Sequence, residues 1–104
     1  MVLSPIRERL GARLRFAISG AAPIRVDTLE FFHAIGVLVL EGYGLTEASP
    51  GVMIAREDDT PVGSIGRPMA DMEVRIVDAA GDDVYIGDEG EIIVRGPNIF
   101  AGYL

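Results

Sequence analysis

"LRFAISGAAPIRVDTLEFFHAIGVLVLE", residues 14–41, changes its periodicity twice, and those changes decide the fold class. "LRFAI" (14–18) alternates polar and apolar at its start and then runs apolar into "SGAAP" (19–23), which predicts a strand feeding a tight loop. Residues 25–35 put Val26, Leu29, Phe32 or His33, and Ile35 at helical spacing. Asp27 and Glu30 sit near the positive end of that helix dipole, and Gly36 stops it. "VLVLE" (37–41) is too short for a helix and reads as a strand buried on both faces. Strand, helix and strand make one βαβ unit, expected parallel and right-handed.

Working outward, "SPIRERLG" (4–11) predicts a short helix capped by Ser4, with Pro5 at its first position and Gly11 at its exit. Near residue 60 the character changes: Pro61, Gly63, Gly66 and Pro68 punctuate the chain and helical periodicity disappears. No helix start follows "GSIGRP" (63–68), so it reads as a bend rather than a phosphate cradle. "MEVRIV" and "EIIVRG" alternate, joined by acidic, turn-rich segments, and predict a hairpin or small three-stranded sheet. The expected organisation is α/β: an α/β part over 1–60, then a small antiparallel β-sheet or partial barrel over 61–104.

Composition narrows the chemistry. Hydrophobic residues make up 49% of the 104, which favours collapse over disorder. There is no cysteine, so disulfides and thiolate metal sites are excluded. A net charge of −7 with no basic cluster argues against a nucleic-acid surface. All nine bases are arginines, so the chain supplies no Schiff-base lysine and no phosphate-loop lysine. No apolar run is long enough to span a bilayer, and "MVLSPIRERL" lacks a signal-peptide core; a cytoplasmic location is expected.

In an open α/β sheet, ligands gather beyond the carboxyl ends of the strands, where "SGAAP" and the expected loop "EGYGLTE" (41–47) would face one site. Gly20, Ala21 and Ala22 let a flat ring or phosphate approach the backbone. Tyr43, between Gly42 and Gly44, offers an aromatic face for stacking. Thr46 brings a hydroxyl for a phosphate oxygen, and Glu47 a hard carboxylate for magnesium. From residue types alone a plainer account stands beside this one, with a glycine turn, a half-buried Tyr43, and Thr46 capping a helix. His33 reads as a surface or packing residue of its helix rather than a base. Glu57, Asp58, Asp59, Asp82, Asp83, Asp88 and Glu89 read as solvated turn acids. Arg67 and Arg95 could pair with acids or touch a ligand.

Taken in order, "SGAAP", "YGLTE" (43–47), "GSIGRP" and "GEIIVRGPNIFAGYL" (90–104) resemble the adenylate-forming superfamily. Nearly the whole chain is covered, and the likeness is greatest to the long-chain fatty-acid members of the acyl-CoA synthetases. Such enzymes join a carboxylic acid to ATP, giving an acyl-adenylate and pyrophosphate, and then pass the acyl group to coenzyme A. The resemblance implies that Gly20, Ala21, Ala22 and Pro23 lie along the adenine and that Tyr43, flanked by Gly42 and Gly44, stacks on it. It further implies that Thr46 contacts the α-phosphate, that Glu47 holds Mg2+, and that Gly44 and Leu45 border the acyl pocket. Many relatives carry an amide at Glu41.

The family's lysine-bearing phosphate loop, its ribose-binding aspartate and its C-terminal catalytic lysine have no counterpart in these residues. The chain is therefore expected to be an internal segment, catalytically incompetent alone, whose exposed apolar surface drives self-association. A non-catalytic binding module reusing part of the fold is the alternative.

Overall fold

β1 (Phe16–Ser19) and β2 (Leu38–Gly44) lie side by side in parallel, Phe16 opposite Leu38 and Ser19 opposite Glu41, with α2 (Val26–Ala34) joining them. This is the βαβ unit that the periodicity predicts. The computed structural model describes residues 4–104. Upstream, α1 spans Ser4–Arg9; the cap expected from the Ser4 side chain lies outside what the structure describes. Helix α2 ends where Gly36 takes a φ of +80°, and its Leu29, with Ile35 and Val37 beyond it, is buried.

Past Glu41 the second strand continues while its neighbour changes. β3 (Gly51–Ile54) pairs antiparallel with it, Gly42 opposite Ile54 and Tyr43 opposite Met53. The segment 41–47, expected as a loop, is thus strand as far as Gly44. The reason is tertiary: β3 supplies hydrogen-bonding partners to a glycine-rich stretch with little strand preference of its own. β4 (Arg67–Pro68) pairs with β3 and completes a sheet of order β1-β2-β3-β4. The change expected near residue 60 therefore falls within the link between two strands of one sheet.

A second correction concerns "VLVLE". Leu38, Val39 and Leu40 are half-buried rather than buried on both faces. Helix α2 packs on β2, but the sheet face carrying Phe16 and Ile18 is open, with Ile18 58% exposed.

β5 (Glu73–Val77) and β6 (Glu91–Arg95) form the expected antiparallel pair, two strands rather than three, in register from Glu73–Arg95 to Val77–Glu91. Their link behaves as acidic turn chemistry: Asp78 Oδ1 accepts from the Ala80 and Asp82 amides at 2.8 and 3.0 Å. Asp83 pairs with Arg75 at 2.8 Å. Arg67 and Arg95 also pair with acids, Asp59 and Glu73 respectively.

Sheet and hairpin meet in one small core of Ala48, Val52 and Met72, against which Tyr43, Leu45, Val74, Val94 and Ile99 pack. Beyond it the chain is spread out. Its radius of gyration is 16.6 Å, against roughly 13 Å for a compact chain of this size.

Candidate functional site

The site grows from the carboxyl ends of β1 and β2, which the parallel register brings to one edge. There the backbone turns of "SGAAP" lie directly against β2. A β-carbon on Gly20 would stand 3.2 Å from the Gly42 carbonyl oxygen, so the two glycines let the segments touch. Ala21 turns the loop in a left-handed conformation, φ +69°, at a cost of about 1–2 kcal/mol for a residue with a side chain.

Two clefts flank this junction. The larger, about 550 Å3, is mostly apolar and is lined by Ile18, Leu45, Met53 and Met69, with Gly20 and Thr46 also in its wall. The smaller, about 290 Å3, is lined by Ala22, Pro23, Ile24, Glu41 and Ile65 among others. Ala21, Gly42, Tyr43 and Gly44 line both and form the partition. The strand irregularity between Tyr43 and Gly44 falls at this wall, and bulges of this kind re-aim side chains beside sites. Gly44 has no freedom to be anything larger: a β-carbon there would run into the Pro50 carbonyl and lie 3.1 Å from Gly51 Cα.

The structure thus brings together Gly20, Ala21, Ala22, Pro23, Gly42, Tyr43, Gly44 and Thr46. Glu47 lies apart, lining neither cleft. It belongs to a 3-10 turn, Thr46–Ala48, whose N-terminus has no side-chain cap, so the capping role weighed for Thr46 is not used. Ser49, φ +49°, closes the turn and leads into β3.

Glu47 Oε1 accepts a 2.5 Å hydrogen bond from the Tyr103 hydroxyl, and the Glu47 carbonyl accepts one from the Phe100 amide at 2.9 Å. The Tyr103 bond, helped by a backbone bond, holds the Glu47 carboxyl below the usual carboxylate range. The same bond pushes the Tyr103 phenol above its ordinary value. Asn98 Nδ2 donates to the Ala48 and Gly51 carbonyls at 2.6 and 2.7 Å. No local motif in the sequence marks a role for Asn98, Phe100 or Tyr103. Their partners are about fifty positions away, beyond any local pattern.

Glu41 is 8% exposed, and its Oε2 has no partner among the described residues. Glu41 is among the residues lining the smaller cleft. His33 is exposed at the end of α2. Among the described residues no group of three His, Cys, Asp or Glu could cage a metal. A lone carboxylate such as Glu47 suits magnesium held mainly by substrate phosphates.

The profile of the AMP-binding enzyme family matches residues 3–104. Long-chain-fatty-acid–CoA ligase 5 of Rattus norvegicus is 40% identical over 106 residues, covering all of this chain and 16% of the relative's length. Among solved structures, ATP-bound MatB from Rhodopseudomonas palustris superposes with a TM-score of 0.82 at 36% identity, over 91% of this chain and 19% of that one. The O-succinylbenzoate coenzyme A synthetase of Bacillus subtilis, in complex with ATP and magnesium ion, gives 0.75 at 28% identity, over 86% and 19%. The chain thus spans about a sixth of the length of its curated relative. With the strand-end loops, the shared partition and a match along almost every residue in agreement, the chain belongs to the AMP-binding enzyme family.

Proposed function

We propose that the chain is a segment of an ATP-dependent fatty-acyl-CoA synthetase. In the reaction a fatty-acid carboxylate oxygen attacks the α-phosphorus of ATP and pyrophosphate leaves. The thiol of coenzyme A then attacks the acyl carbonyl, and AMP leaves. One observation carries this reading: a larger and a smaller cleft, both mostly apolar, share the Ala21, Gly42, Tyr43 and Gly44 partition, with Thr46 in the wall of the larger. Two ligands of different size could meet across such a wall.

On this reading the smaller cleft takes adenine, with Ala21, Ala22 and Pro23 on one side and Tyr43 stacking. The larger cleft takes the acyl chain, bordered by Leu45, Met53 and Met69. Thr46 donates to the α-phosphate. Glu47 holds magnesium, which offsets charge on the phosphates.

Catalysis by the 104-residue chain alone is not expected, because no lysine is present to neutralise the phosphates. The spread shape and the exposed Phe16, Ile18 and Phe31 support a chain that packs against further structure.

The test is ATP binding and acid-dependent pyrophosphate release by the complete protein and its Tyr43→Ala variant. Loss of base stacking should weaken ATP roughly tenfold or more, with little change for the fatty acid. Unchanged ATP affinity would remove Tyr43 from the site. Pyrophosphate release by the isolated chain would refute the claim that it is inactive alone.

A further inference from the structure

Tyr43 is held by the strand in which it lies, whereas Thr46 and Glu47 lie on a turn with no side-chain cap of its own. Beyond its own backbone bonds, Ala48 to Leu45 and Ser49 to Thr46, what ties that turn down comes from the far end of the chain. The Asn98 amide spends both of its hydrogens on it, one on the Ala48 carbonyl and one on the Gly51 carbonyl. Those carbonyls mark the end of the 3-10 turn and the start of β3, so one side chain sets the width of the corner. Turning the amide over would aim Oδ1 at two carbonyl oxygens, which repel it; the orientation follows from the acceptors. Next to it, Ile99 packs against the core of Ala48 and Val52. The Phe100 amide then takes the Glu47 carbonyl, and the Tyr103 hydroxyl takes Glu47 Oε1.

We propose that Asn98 is a positioning residue for the phosphate side of the site: by bridging Ala48 and Gly51 it fixes the turn that presents Thr46 and Glu47. This rests on the reading of Thr46 and Glu47 given above. Few other residues meet the requirement. Aspartate has the same shape but turns the two donors into acceptors facing carbonyls; alanine leaves both carbonyls unpaired in a half-buried place.

The test uses the complete protein with Asn98→Ala, Asn98→Asp and Ile99→Ala, the last loosening the same segment by packing alone. Amide hydrogen exchange at residues 46–49 should quicken roughly tenfold to a hundredfold in both Asn98 variants, while β1 and α2 keep their protection. In parallel, kcat for adenylation should fall at least tenfold with the fatty-acid KM unchanged. Ile99→Ala should lower thermal stability without that split. Equal kinetics in Ile99→Ala and the Asn98 variants, or unaltered exchange in the turn, would overturn the proposal. Should Asn98→Ala not fold, Asn98→Ser, which keeps one donor, carries the same comparison. A Glu47→Gln arm separates the two readings. If it leaves adenylation and its magnesium dependence intact, the assignment of the turn fails; if it impairs both while the Asn98 variants behave as wild type, only the positioning role fails.

Discussion

Tyr43 and Glu47 stand four positions apart in one motif, yet different parts of the molecule hold them. Tyr43 lies within β2, paired on the β3 side with Met53, so its backbone pairing comes from only ten residues away. Glu47 lies on a short turn whose bonds run to Phe100 and Tyr103. A motif that reads as a unit is thus assembled from a locally supported half and a remotely supported half. The two can be disturbed separately.

The joint between the halves is Gly44, and breaking it should have the largest effect. Gly44→Ala forces a methyl group against the Pro50 carbonyl and should cost about 3 kcal/mol, read as a lowered urea midpoint of the protein. A loss below about 1 kcal/mol would mean that the corner can open, and that the two halves are less tightly joined than their geometry implies.

The remote half should respond to pH in a way the local half does not. Because the Tyr103 hydroxyl holds the Glu47 carboxyl below its ordinary value, the bond's stabilisation is complete above the usual carboxylate range. It is lost as pH falls through the lowered value. The Tyr103 phenol is shifted upward, so at the alkaline end the stabilisation is complete below about 10 and fades as pH rises through the raised value. In Tyr103→Phe, the Glu47 titration followed by carbon NMR should move up toward that of an ordinary glutamate. An unmoved midpoint would show that the hydroxyl does not hold the carboxylate in solution.

Smallest of all should be a change at the hairpin's outer edge. Arg95 and Glu73 form a cross-strand pair with both side chains mostly exposed. Arg95→Met should change stability by less than about 1 kcal/mol and leave the Glu47 titration where it is. A larger shift in that titration would tie the hairpin surface to the turn and blur the division between the two halves.

The sequence alone determined the local elements. Strand, helix and strand follow from periodicities set within each segment, and "SGAAP" with "YGLTE" holds part of the cleft lining, from Gly20 to Pro23 and from Tyr43 to Thr46. The turn at Asp78 needed only local chemistry, whereas Arg95 met Glu73 through the hairpin register. Tertiary structure decided what depends on partners far along the chain. β3 turned Gly42–Gly44 from loop into strand, because backbone hydrogen bonds follow whichever neighbour arrives rather than side-chain preference. The open sheet face left Leu38, Val39 and Leu40 half-buried. Asn98 and Tyr103 gained their roles because a half-buried turn must satisfy its carbonyls, and the donors that reached it came from about fifty residues away.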